Sequence, residues 1–385
     1  MSQPLKGLKV VDFTHVVAGP LATHMLRLLG AEVIKIESPA GDPLRNYSLV
    51  PEERGMAPAF VGINAGKKSV VLDLKSDQGL AMAQTLIREA DIVVENFRPG
   101  VLDRLGLGYE ACKELKQDIL FCSVSGFGLN SPLRDHPAID QIVQSLSGLM
   151  NLSGEPDDGP IRIGIPIVDT FVGMMAALAI LSAVIQRDRF GGPQLIDVAM
   201  LDATMVMMLA VVNPFMINGT PFKRTGNRGF SQAPTADTFP TASGQITIGA
   251  VQDNQVQRLF KALGREDLSS HPDYANRDVR QANADALQGE IRAAFADKPA
   301  SVWGPILAKA GVPAGEVLDF TDVLDRGWID ERDLRLSIPY EAATDGTGET
   351  QILNAGFRFE RDGPGHNEAA PKLGEHTCEF NSPGG

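Results

Sequence analysis

Cysteine is scarce in this chain. Three in 385 residues (Cys112, Cys122, Cys378) are too few and too scattered for a disulfide framework or a thiolate metal site. None of the six histidines stands in an HExxH pattern, so no metal is expected. Basic residues are outnumbered, 35 Lys and Arg against 48 Asp and Glu, for a net charge of −13. That balance lacks the clustered cations of a nucleic-acid surface, although a few local cations can still line a pocket for one anion. No run of about 18 uninterrupted apolar residues marks a membrane span. The opening MSQPLKGLKVVDFTH lacks the basic-then-apolar pattern of a secretory leader. The expectation is a cytoplasmic protein with no nucleic-acid, membrane or metal partner. Phosphate-loop signatures are missing too. The turn after the first apolar segment reads THVVAGP, which is neither GxGxxG nor GxxxxGK[ST]. No GxSxG nucleophile elbow occurs.

What is there is a regular alternation. Short β-branched runs at 8–13, 32–37, 69–74, 91–95 and 119–124 read as strands. Segments of helical spacing at 21–29, 77–89 and 102–116 separate them. Such alternation predicts an α/β fold built on a Rossmann-like, doubly wound parallel sheet. Ligands of such sheets bind beyond the carboxyl ends of the strands. The region 170–220 reads as helical throughout. A strand–turn–strand pattern at 239–251, helices at 254–264, 278–296 and 300–310, and a strand at 315–318 predict a smaller α+β domain. The expected division is a large domain over 1–200, a helical linker over 201–224, the small domain over 225–324, and a segment over 325–385 returning to the large domain.

One charge stands out. In IRIGIPIVDTFVGMMAALAIL, Asp169 is flanked by apolar residues on both sides, a strand before it and a helix after it. A carboxylate in such a place is unfavourable unless it caps a helix or reacts. Thr170 and Gly173 fit close approach by a ligand better than they fit a cap. With metal and hydride motifs missing, acyl chemistry by a carboxylate nucleophile is the leading option. Asp140 and Asp202 read as structural charges with partners.

Several ordered motifs carry a resemblance. GLKVVDFTHVVAGPLATHMLRLLGAEVIKIESPAGDPLR, INAGKKSVVLDLKS, ADIVVENFRPGVLDRLGLGYE, the Asp169 segment and TGNRGFSQAPTADTFPTASGQITIGAVQDNQ resemble family III coenzyme A transferases. The resemblance runs from residue 7 to about residue 377 and is specific for the superfamily rather than the substrate. It implies that Asp169 attacks an acyl-CoA and forms an acyl anhydride, then an enzyme–CoA thioester. It implies that His15, Val17 and Ala18 line the thioester end of a CoA site. Leu72, Asp73, Leu74 and Lys75 would hold the adenosine and phosphates, Asn96, Phe97 and Arg98 the CoA chain, and Arg104 a phosphate. It implies an interlocked homodimer, acyl-CoA and a small carboxylic acid as substrates, and no permanently bound cofactor. Gly126, in the turn SGFG, would offer a backbone N–H to a developing oxyanion. Arg45, in GDPLR after the second strand, is the expected contact for the free carboxylate of a dicarboxylic substrate such as a succinyl group.

Two departures narrow the reading. Val17 stands where formyl-CoA transferases have glutamine, and no Gly-rich flap occurs near VQDNQVQ at 251–257. Where racemases of the superfamily have Gly-His-Asp, this chain has Ala138-Ile139-Asp140, with His136 three positions away. The loss of the second base weighs against racemisation. An acyl-CoA racemase or isomerase of the same fold and a CoA-binding protein without turnover remain the alternatives.

Overall fold

The structure is a computed structural model that describes residues 3–341 and 347–380. The C-terminal segment expected over 325–385 includes 342–346 and 381–385, which lie outside the described residues.

Six strands, β1 (Lys9–Asp12), β2 (Glu32–Glu37), β3 (Lys68–Val71), β4 (Ile92–Glu95), β5 (Leu120–Ser125) and β6 (Gln194–Ala199), form one sheet in the order β3-β2-β1-β4-β5-β6. Every neighbouring pair is parallel. The chain winds outward from β1 to β3, returns to β4, and winds the other way. The crevice between β1 and β4 is therefore the switch point where ligands of this topology bind. β6 breaks the region expected to be helical throughout. Gly191 (φ 72°) and Gly192 (φ 89°) end the preceding helix, Pro193 prevents its resumption, and Gln194–Ala199 then pairs with β5.

The helices of this unit include α1 (Ala18–Leu28), α2 (Pro58–Asn64), α3 (Asp77–Glu89), α4 (Val101–Arg104), α5 (Tyr109–Leu115), α6 (Asp140–Leu146), α7 (Ile167–Phe190), α8 (Met200–Met207) and α9 (Leu209–Asn218). Alternate residues of a strand face opposite sides. Val11, Ile34, Val70 and Val93 pack with Leu86 and Ile87 of α3 and Cys112 of α5. On the other side Asp12 meets Thr23 of α1, and α1 packs on α7 through Met25, Leu28 and Ala177. Gly173 is required by that contact: a methyl there would stand 2.7 Å from the carbonyl oxygen of Ala18. Its close approach is therefore to α1, not to a ligand as its sequence position suggested.

α7 is long and apolar enough to cross a membrane, which no uninterrupted run in the sequence announced. Part of it is packed away from solvent, including Val172, Ala176 and Ile180. Met174, Leu178 and Ile185 are exposed, and α9 buries none of its ten residues.

A second unit comprises Asn151–Ile161 and Pro221–Gly327. Its antiparallel sheet, β7 (Thr238–Pro240), β8 (Gln245–Ile248) and β9 (Ala314–Glu316), has the order β7-β8-β9. Phe239, Ile246 and Ile248 pack with Phe260, Ile291, Phe295 and Trp303. Residues 151–161, expected in the large domain, belong here because Arg224 Nε donates to the Asn151 carbonyl and Gly226 N–H to the Gly154 carbonyl. Residues 201–220, expected as a linker, belong to the first unit as α8 and α9.

Candidate active site

The turn after β1 is held in an unfavourable conformation. Val16 has φ 66°, a left-handed backbone that a β-branched residue rarely adopts. Hydrogen bonds on both sides impose it. Asp42 Oδ1 accepts from Val16 N–H at 3.1 Å. Asn96, just beyond β4, accepts from His15 N–H at 2.9 Å and donates to the His15 carbonyl at 2.8 Å. The side chain of Asn96 thus ties the ends of β1 and β4 together across the switch point.

Buried ion pairs brace this edge from below. Lys35 Nζ lies 2.9 Å from Asp42 Oδ2 and donates to the Thr14 carbonyl at 2.6 Å. Lys67 Nζ donates to Asp12 Oδ2 at 3.1 Å, with Thr23, Asn64 and the Pro20 carbonyl completing its shell. Burial alone would raise the Asp12 carboxyl, but Lys67 and Lys35 together with hydrogen bonds from Thr14 and Thr23 hold it below its ordinary value. Burial lowers Lys67 to about 8 despite Asp12. Fully partnered pairs of this kind define geometry more than they add stability.

Asp169 lies in the first turn of α7, where Pro166, not Asp169, is the N-cap. The segment before it, expected as a strand, is coil. A helix N-terminus ordinarily favours a carboxylate because its free N–H groups point at it. Here those donors are taken. Asp140 Oδ2 accepts from Val168 N–H at 2.8 Å and from Asp169 N–H at 3.2 Å. Asp140 Oδ1 accepts from Gln144 Nε2 at 2.6 Å, and Gln144 Oε1 accepts from Ile163 N–H at 3.0 Å. Among the described residues Asp140 therefore has no cation partner; it anchors the start of α7 and is a structural charge of another kind than expected. Burial first, and the Asp140 carboxylate second, push Asp169 up to about 7.

Asp169 and Asp140 open into a cavity of about 540 Å³. His15, Val17, Ala18, Asn96, Phe97, Arg98 and Gly126 share its wall, together with Tyr47, Arg134, His136, Ile139, Arg162 and Met200. Burial lowers the His15 imidazole, whose ring stands 5.1 Å from that of Phe97. A second cavity of about 330 Å³ is lined by Leu72, Asp73, Leu74, Lys75, Phe97 and Arg104. β3 ends at Val71, earlier than expected, so Leu72–Lys75 forms the turn that rims this cavity. Asp73 Oδ1 shapes the turn by accepting from Lys75 N–H at 3.0 Å, and Ser76 caps α3. Phe97 lines both cavities.

Two expectations change. Arg45 is buried, not on an exposed loop. Its Nε and Nη2 donate to the two carboxylate oxygens of Glu37 at 2.8 and 2.7 Å, and its guanidinium lies 3.8 Å over the Phe60 ring. It lines neither cavity, so it is not a substrate contact. Gly126 does reach the cavity, but packing accounts for it: a methyl there would stand 2.2 Å from Ala138 Cβ. In the same turn, Gly128 N–H donates to Ser125 Oγ at 3.0 Å.

The linkage of Asp140 to Gln144 and the clamp by Asn96 were missed. The i,i+4 spacing of Asp140 and Gln144 was the available signal for the first. Nothing local signalled the second, whose partners lie 81 residues apart.

The model of CoA-transferase family III matches residues 5–377. The chain is 33% identical to the succinate–glutarate CoA-transferase of Agrobacterium fabrum, over 98% of this chain and 94% of that protein. It is 37% identical to the acetyl-CoA:oxalate CoA-transferase of Acetobacter aceti, over 83% and 82%. A crystal structure of a CaiB/BaiF family protein from Brucella suis superposes with a TM-score of 0.88 at 32% identity, covering 99% of both chains.

Proposed function

The chain belongs to CoA-transferase family III, and on that premise we propose that Asp169 is its covalent nucleophile and that its acids are short dicarboxylates. The carboxylate of Asp169 attacks the acyl-CoA carbonyl, and CoA thiolate leaves. The thiolate then attacks the Asp169 carbonyl of the anhydride and releases the donor acid. An acceptor carboxylate attacks the resulting enzyme–CoA thioester, expelling the thiolate again. The thiolate takes the new acyl group from the second anhydride and restores Asp169. Each step exchanges one acyl bond for another, so electrons and protons balance without an outside reagent.

The observation that carries this reading is a carboxylate deprived of the helix donors that would stabilise its charge. A rise from 3.8 to about 7 amounts to about 4 kcal/mol against the ionised form. Acylation neutralises that charge and relieves the penalty, which favours attack.

The two cavities, which share Phe97 in their walls, suit an elongated thioester. We assign the thioester end to His15, Val17, Ala18 and Asn96, the chain to Phe97 and Arg98, and the adenosine phosphates to Leu72–Lys75 and Arg104. Relatives named for succinate, glutarate and oxalate support dicarboxylic acids as donors and acceptors.

A homodimer belongs to the same proposal. Met216 and Ile217 of α9 are 76% and 82% exposed, and Leu178 and Ile185 of α7 are also uncovered. An apolar face of that extent calls for a partner, and a second copy, interlocked with the first, supplies it.

The test is an acyl-CoA supplied with hydroxylamine. Wild-type protein yields an Asp169 hydroxamate, seen as a mass shift on its peptide. Asp169→Asn forms none, loses at least a thousandfold in transfer, and melts at a higher temperature because an unfavourable charge has gone. Transfer retained in Asp169→Asn refutes the covalent role.

A further inference from the structure

With Arg45 committed to Glu37, the cavity of Asp169 still presents three guanidinium groups: Arg98, Arg134 and Arg162. Two of them belong to the side that leads toward the second cavity. Arg134 lies beside Arg104 over Gly100, whose added methyl would stand 3.3 Å from Arg104 Nη1 and 3.5 Å from Arg134 Nη2. Arg98 follows Phe97, the residue shared by both cavities.

Arg162 stands apart from these. It begins the coil that runs into α7. The next residue, Ile163, is pinned through its N–H to the buried Gln144, and Gln144 holds the Asp140 that anchors Asp169. The backbone beside Arg162 is thus tied to the same network that positions the reacting carboxylate. Its guanidinium is exposed and, like those of Arg98 and Arg134, has no ion pair and no side-chain hydrogen bond among the described residues; its place beside the Asp140 network is what distinguishes it. The buried cations Lys35 and Lys67 are each already committed to a carboxylate, so neither is free to receive a substrate anion.

A dicarboxylic acyl group brings an extra negative charge into a cavity that already holds Asp140 and Asp169. Repulsion would exclude it unless a cation receives the distal end. A guanidinium suits this, since it binds a carboxylate through two parallel N–H groups. We propose that Arg162 receives the distal carboxylate of a dicarboxylic acyl group whose other end reacts at Asp169. The inference rests on the CoA-transfer reading and assigns its acid specificity to one side chain.

The test compares acyl-CoA pairs that differ only in a distal carboxylate: succinyl-CoA against butyryl-CoA, and glutaryl-CoA against pentanoyl-CoA. The rate of Asp169 hydroxamate formation against acyl-CoA concentration gives a second-order rate constant for each. Wild-type protein prefers the dicarboxylic member. Arg162→Met loses roughly tenfold to a hundredfold with that member and changes less than about threefold with the other. Arg162→Lys restores part of the preference, because it keeps the charge and loses the fork. Equal losses with both members would make Arg162 a contact for CoA or a support for the coil, and would overturn the inference. So would no loss, or a wild type without preference; in both cases hydroxamate still forms and the covalent reading stands. Failure to form hydroxamate from any of the four would instead sink the covalent reading, and this inference with it.

Discussion

Replacing Asp140 with Asn tests the electrostatic account of Asp169 directly. Asp140 Oδ2 is 3.2 Å from the Asp169 nitrogen, which puts the two carboxylates on the order of 6 Å apart. At an effective dielectric of about 20 to 40 they repel by about 1.4 to 2.8 kcal/mol. Burial is the larger cause of the rise to about 7, so Asp140 accounts for less than half of about 4 kcal/mol, and the upper limit drops to about 2. Asp140→Asn removes the charge and keeps an oxygen to accept from Val168 and Asp169. Its amide nitrogen would face Gln144 Nε2, so one hydrogen bond is lost, at about 1 kcal/mol of stability. Asp169 reacts only when ionised, so activity falls as pH drops through its pKa. The acid limb of kcat/KM for acyl-CoA is expected at about pH 7 in the wild type and near pH 6 or just below in Asp140→Asn. At pH 6 the wild type retains about a tenth of its plateau and the variant about half. The plateau itself falls a few-fold, because a less basic carboxylate is a weaker nucleophile. An acid limb that stays in place, or moves upward, would refute the argument that Asp140 sets the basicity of Asp169. A merely structural Asp140 would lower the plateau without moving the limb.

Two further outcomes bear on the rest of the site. Arg45→Ala strands Glu37 as a buried charge, so a loss of about 3 to 5 kcal/mol in unfolding free energy is expected by denaturant titration; an unchanged midpoint, with a KM rise confined to dicarboxylates, would restore Arg45 as a substrate contact. Arg104→Ala weakens CoA binding roughly tenfold to a hundredfold by calorimetry while the melting temperature holds, and unchanged affinity would remove Arg104 from the phosphate site.

The strands and their alternation with helices were legible because parallel strands are short, β-branched and bounded by glycine and polar turns. The first five appear where the residue pattern placed them. β6 was hidden because QLIDVA follows a long apolar helix, and only pairing with β5 distinguishes it from more helix. Asp169 was legible for a local reason: a lone carboxylate in an apolar segment needs an explanation wherever the chain goes. The turns after β1, β3 and β4 were legible because topology carries strand ends to one edge of a sheet.

What only the tertiary structure decided concerns partners distant in sequence. Arg45 looked like a free loop cation until the fold set both oxygens of Glu37 against it. Gly173 looked like a ligand contact until α1 filled the space above it. Asp140 looked like half of an ion pair until α7 brought its own N–H groups to that carboxylate. Residue type and spacing report what a side chain can do, because that chemistry is local. Which groups compete for it depends on contacts across tens of residues, and those exist only once the chain has folded. The sequence by itself therefore determined the α/β class and the family, and singled out Asp169, the carboxylate proposed as nucleophile. The tertiary structure decided which groups raise the basicity of that carboxylate, and which arginines line the cavity it opens into.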